Sequence, residues 1–135
     1  SWAALLISVL VFALAHVTND SVTAIALASV AAAGLLLSAA YMLTQRLWLG
    51  IGIHAAWNFT QGGLFSASVS GNSSHGMIEG VFSGPAWLSG GDFGVEGSVL
   101  ALFFVLGAGI LMLTRVNKNH IVPAPWRRRP GSLPA

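Results

Sequence analysis

Hydrophobic residues fall along this chain in four long blocks, separated by short polar breaks and one Gly-rich interval. The first block extends from Trp2 to about Val17 and ends at Thr18-Asn19-Asp20. The second, Val22 to Leu43, is long enough at about 1.5 Å per helical residue to cross a hydrocarbon core of roughly 30 Å. Thr44-Gln45-Arg46 makes a polar turn, after which the third block runs from Leu47 to about Phe65, interrupted by His54, Asn58 and Gln61. The fourth, Ser98 to Thr114, contains no charge. The pattern predicts an all-α membrane protein of about four transmembrane helices, at residues 2–17, 22–43, 47–65 and 98–114, within a helical domain spanning 1–114.

The interval from Ser66 to Gly97 has no helical or strand period. Gly84-Pro85 and Gly90-Gly91 are turn signals, while Met77-Ile78, Val81-Phe82 and Ala86-Trp87-Leu88 are apolar. An aperiodic loop of this length is usually functional or disordered, and the scattered Phe and Trp favour a loop lying at the membrane surface. Residues 115–135 form a basic, Pro-rich tail.

Composition agrees with lipid as the solvent: 55% of the 135 residues are hydrophobic and 7% charged, against about 25% charged in soluble domains. The 16 glycines suit close helix approach in lipid. The absence of Cys excludes disulfides, thiolate zinc sites and cysteine nucleophiles. Five of the six basic residues lie between Arg115 and Arg129, and all four acids lie elsewhere. By the positive-inside rule the C-terminus is cytoplasmic, which places the acidic Gly-rich loop outside. The expected setting is a multi-pass protein of a bacterial cytoplasmic membrane, with membrane lipid as a partner and no nucleic acid. Ser1 in place of Met points to a processed chain or a piece of a longer one. No basic region precedes the first apolar block, so a signal peptide is the weaker reading.

Polar side chains inside membrane helices are costly and tend to mark function. His16 ends Phe12-Ala-Leu-Ala-His16, and His54 opens His54-Ala-Ala-Trp-Asn58. The i,i+4 spacing puts His54 and Asn58 on one helix side, with Gln61 nearly in line. A neutral imidazole can ligate a metal or accept a proton, and a carboxamide can donate to a developing oxyanion. The bland alternative for each is a helix-packing hydrogen bond, or for His16 an interfacial ring bonded to a nearby carbonyl. Two intramembrane histidines on separate helices, one with an amide partner, are more than packing requires. His75, in the loop, and His120, in the tail, read as solvated.

These pieces resemble the CPBP family of intramembrane proteases, which includes CAAX prenyl proteases and bacterial immunity-type (Abi) proteins. Phe12 to His16 is similar to its Phe-x-x-x-His motif and His54 to Asn58 to its His-x-x-x-Asn motif. Gly34-Leu35-Leu36, the run Tyr41 to Trp48, Asn58-Phe-Thr-Gln-Gly62, Ser83-Gly84-Pro85 and Gly90-Gly-Asp-Phe-Gly94 extend the likeness. The resemblance implies an endopeptidase in which a glutamate-activated water attacks a peptide bond of a peptide or protein substrate. His16 and His54 would hold the water or a metal, and Asn58 would stabilise the oxyanion. The family's usual description as metalloproteases implies zinc or another divalent metal on His16 and His54. Catalytic zinc normally takes three protein ligands, so a third would come from the family's Glu-Glu motif, which lies upstream of the Phe-x-x-x-His helix and is not in this sequence. Glu79 and Glu96 lie in the Gly-rich loop without a paired Glu and are not assigned to the site, which leaves neither histidine with a carboxylate partner. The chain therefore reads as a C-terminal portion lacking that upstream segment. A non-catalytic immunity or scaffold protein of the same fold is the second reading. A histidine-based metal or ion transporter is the third, weakened by the lack of intramembrane carboxylates.

Overall fold

A computed structural model describes residues 1–116 and shows helices and turns, with no strand among the described residues. Helix α1 is Trp2–Leu14, α2 Ala24–Thr44, α3 Trp48–Asn58, α4 the single turn Ala86–Ser89, and α5 Val99–Arg115. The tail beyond residue 116, with His120, lies outside the described residues.

Three helices start on a serine or threonine cap, whose side-chain oxygen accepts an otherwise orphaned backbone N–H. Ser1 Oγ accepts from Ala4 at 3.3 Å, Thr23 Oγ1 from Ala26 at 3.1 Å and Ser98 Oγ from Ala101 at 3.1 Å. Helix α2 stops at Gln45, whose left-handed φ of 54° turns the chain toward α3. Helix α1 stops at Leu14, short of the Val17 expected from hydropathy, because the next amides bond three residues back: His16 N–H donates to Ala13 at 3.0 Å and Val17 N–H to Leu14 at 3.3 Å. Hydropathy has no view of that change, since Ala15 and Val17 are as apolar as the helix before them. The third block is likewise not one α-helix. After Asn58 it widens into a π-helical turn, Phe59–Leu64, closed by Phe65 N–H donating to Thr60 O at 3.2 Å.

Helix α2 is the centre of the bundle, packed by α1, α3 and α5. Glycine sets two of these approaches. A Cβ at Gly34 would lie 3.3 Å from the Phe12 ring and from Val9 Cα of α1, and one at Gly109 of α5 would lie 3.3 Å from the Leu36 backbone. Side chains here would push the helices apart, as expected for close packing in lipid. Helix α2 is also the one described helix long and apolar enough to cross a membrane, with half of its apolar window buried in the bundle. Helices α1 and α5, of 13 and 17 residues, reach about 20 and 26 Å at 1.5 Å per residue. The fold is all-helical, and among the described residues one of the four expected crossings is a full-length apolar helix. The outer faces of the shorter helices are still strongly apolar: Leu6, Ile7, Leu10 and Leu14 of α1 and Phe103, Phe104, Ile110 and Leu111 of α5 are exposed.

The Gly-rich segment is a folded cap on the bundle. Val69 and Asn72 exchange both backbone hydrogen bonds at 2.9 Å across Ser70 and Gly71, whose φ values of 49° and 83° make a type I′ turn. Asn19 Nδ2 donates to Ser70 O at 2.8 Å, which ties this turn to the α1–α2 connection, and Gly71 N–H donates to Phe93 O at 2.9 Å within the segment. Phe93, 1% exposed, inserts against Ala26 and Val30 of α2, with Phe12 and Val22 around it. Residues Met77, Ile78, Val81, Phe82, Trp87 and Leu88 of the same segment stay exposed.

Candidate active site

His16 follows the last turn of α1. Its Nδ1 lies 2.7 Å from the Phe12 carbonyl oxygen. A carbonyl can only accept, so in the neutral ring Nδ1 carries the proton and Nε2 keeps the lone pair. This is the interfacial carbonyl bond considered for this residue, yet it leaves the other nitrogen available. The Phe12 ring lies 4.8 Å between centroids from His16, tilted by 43°, and meets His54 edge-on at 5.7 Å. One phenyl ring therefore fixes both imidazoles, from two helices, at a common level.

That level is reached although His16 lies near the end of α1 and His54 midway along α3. Gly50, early in α3, backs onto the Leu37 carbonyl of α2, where a Cβ would approach to 3.6 Å. Leu37 lies about two turns before α2 ends, so the first turn of α3 already runs beside α2 at that height, and His54, one turn on, meets Phe12.

His16, His54 and Asn58 line one cavity of about 50 Å³, together with Ser29, Ser70 and Glu96. Val30, Leu37, Ile53 and Val105 supply apolar wall. On this measure about 10–15 Å³ is enough to hold one water, which also needs polar partners, so a space of this size and lining suits ordered water. The Ser29 hydroxyl, on a residue 3% exposed, has no hydrogen-bond partner among the described residues. It is the kind of group that water or a substrate carbonyl satisfies. On the other side of Phe12 and His54 opens a groove of about 460 Å³ between α1, α2 and α3, lined by Leu5, Leu37, Tyr41, Met42 and Leu47.

Glu96, which the sequence reading left unassigned, lies in this region, although among the described residues no hydrogen bond joins it to either histidine. It lines their cavity. Trp57 Nε1–H donates to its Oε2 at 3.1 Å and Gln61 Nε2–H at 3.4 Å. The Ser70 hydroxyl donates to Oε1 at 2.6 Å, and the Ser70 backbone N–H donates to the same oxygen. No local signal in the sequence marks it, since its partners lie 39, 35 and 26 positions away. Gln61, expected on the His54 side, is buried and turned to Glu96 by the π-helical turn. Glu79 and His75 are exposed and touch none of this.

No group of three or more His, Cys, Asp or Glu side chains suited to a metal occurs among the described residues. Both Glu96 oxygens are already engaged by N–H and O–H donors, and Asn is a poor zinc ligand. The donor set here is therefore two imidazoles, short of the three ligands of a catalytic zinc.

Residues 1–60 match the family model described as Rce1-like, type II CAAX prenyl endopeptidase. The matched span contains His16, Ser29, His54 and Asn58 and excludes Glu96. Comparison with curated proteins and with solved structures gave no match.

Proposed function

Over residues 1–60 the chain carries the signature of the CAAX prenyl endopeptidases, a membrane-embedded protease family, and from that premise we propose that it is the C-terminal catalytic portion of an intramembrane endopeptidase of the CPBP type. The observation that carries the reading is that the histidines of two separate helices and the amide of Asn58 line one small cavity beside an apolar groove. The exposed apolar faces of α1 and α5 belong against lipid, since a soluble surface rarely carries contiguous apolar patches of that extent. On this reading the remaining helices cross or enter the bilayer beside α2. The basic residues from Arg115 onward keep the tail on the cytoplasmic side, and the cavity opens toward the opposite face, under the Gly-rich cap.

A peptide stretch of apolar residues lies in the groove and brings its scissile carbonyl past Phe12 to the cavity. His16, with its lone pair on Nε2, and His54 hold and polarise the attacking water. As the water oxygen bonds to the carbonyl carbon, Asn58 Nδ2–H donates to the oxygen that gains charge. The water's proton passes to a carboxylate and from there to the departing amine as the C–N bond breaks, the usual cycle of a general base turned acid. That carboxylate belongs to the Glu-Glu segment upstream of Ser1 in this reading. Glu96 is ill suited to the role because both its oxygens are already taken by donors from Trp57, Gln61 and Ser70. A metal on His16 and His54 would need a further ligand from outside the described residues, and no step above depends on one.

The test uses the full-length protein in proteoliposomes with a fluorogenic peptide. His16→Ala and His54→Ala should each lower kcat/KM by about 10²–10⁴, the range for loss of a proton-handling group, with expression and helicity unchanged. Asn58→Ala should cost about 10²–10³, as for an oxyanion donor. Cleavage undiminished in both histidine variants would remove His16 and His54 from the site, and no cleavage by the parent protein would leave the non-catalytic immunity or scaffold reading of the same fold.

A further inference from the structure

Glu96 is fully engaged, and its partners come from two parts of the chain that nothing else joins so directly. Trp57 and Gln61 stand on α3 and the π-helical turn after it, flanking Asn58. Ser70 is the first central residue of the type I′ turn that closes the cavity from the loop side. Ser70 is a non-glycine residue with φ at 49°, a conformation that L-residues adopt at a cost and keep only where their surroundings hold them. Here the surroundings are the Glu96 carboxylate, which takes both the Ser70 amide and its hydroxyl. The Trp57 Nε1–H reaches one Glu96 oxygen and the Ser70 backbone N–H the other, and neither can accept, so an amide at this place would turn its NH₂ on an N–H whichever way it lay.

We propose that Glu96 is a positioning residue for the histidine cavity, a clasp that fastens the Ser70 turn to α3 at Trp57 and so holds the cap closed over His16, His54 and Asn58. The carboxylate acts through Trp57 and Ser70 and does not itself take part in bond making. Its effect on peptide cleavage rests on the reading above; its effect on the closed cap does not. The protein's lack of cysteine supplies a probe of the cap alone. Ser29, buried in the cavity wall, is replaced by Cys, and its modification by methyl methanethiosulfonate is timed in the full-length protein in bilayers, well below the unfolding temperature.

With Glu96 in place the thiol should react slowly. Glu96→Ala should speed modification at least tenfold. Glu96→Gln should behave like Glu96→Ala, because it keeps the shape but turns an NH₂ toward donors. Trp57→Phe and Ser70→Ala, each removing one donor, should give smaller increases in the same direction, and they carry the test if the Glu96 variants do not accumulate. A role in packing alone would be rescued by Gln and would change thermal stability without changing the labelling rate. Labelling rates within twofold of the parent in all variants, or full rescue by Gln, would overturn the proposal. In the cleavage assay Glu96→Gln should lower kcat at least tenfold with KM within twofold; unchanged kcat alongside fast labelling would keep the clasp as a closure of the cap and overturn its positioning of the catalytic groups. Loss of cleavage in the histidine variants is scored separately, so failure of the protease reading leaves the labelling result standing.

Discussion

In α1 to α3, a residue's place follows from its period. Phe12 of α1 meets His16 in the turn just past its end, His54 and Asn58 share one side of α3, and Gly34 lets α1 close on α2. Between residues 66 and 97 there is no period to follow, and place comes from single contacts: Phe93 in its slot, Asn19 on the Ser70 carbonyl, Glu96 among its four donors. Both regions line the same cavity. The helical region tolerates change wherever an apolar side chain can be exchanged for another, since lipid and neighbouring helices make few individual demands. The cap depends on a handful of groups, each without a substitute.

Substitutions can break that contrast. The largest effect on stability should come from Phe93→Ala, because a nearly inaccessible aromatic ring is deleted from the contact between cap and α2. A loss of about 3–5 kcal/mol is the usual range for such a core deletion, measured as a shift in the unfolding midpoint in mild detergent. A cap that merely rests on the bundle would lose less than about 1 kcal/mol, and the contrast would then be wrong. Gly34→Leu tests the helical side. The added side chain would meet Phe12 and Val9, and overpacking of this kind costs about 1–3 kcal/mol. It should also reduce peptide cleavage by moving Phe12 off the two imidazoles, whereas Gly107→Leu, where a Cβ meets nothing within 4 Å, should leave cleavage as it was. The smallest effect should be that of Trp87→Ser, on the exposed part of the cap. Its stability in detergent should stay within about 0.5 kcal/mol of the parent, while partition of the protein's loop segment into lipid vesicles, followed by tryptophan quenching, should weaken.

The helical half of the site could be read in the sequence because hydropathy and i,i+4 spacing act over short distances. They locate His54 and Asn58 on one side of one helix without any knowledge of the rest. The helix ends were less legible: Leu14 and Asn58 are decided by which carbonyl a given amide chooses, and neighbouring residues of equal hydropathy leave no trace of that choice. Glu96 was out of reach for another reason. Its partners lie 39, 35 and 26 positions away along the chain, and no local pattern distinguishes an acid that will be clasped from one, such as Glu79, that stays in solvent.

The early end of α1 has a chemical consequence. Had the helix run on for one more residue, the amide of His16 would have claimed the Phe12 carbonyl in the ordinary i to i−4 manner. Instead that amide turns to Ala13, and the carbonyl is taken by the imidazole of the same residue. One proton thereby does two jobs, ending a helix and declaring which ring nitrogen is basic. The two properties cannot drift apart in evolution. An insertion or deletion that lengthened α1 would free Nδ1, and the ring could then present either nitrogen to the cavity. Among relatives that keep the chemistry, the point at which α1 ends before the histidine should therefore be as constant as the histidine itself, for reasons that have nothing to do with bilayer thickness.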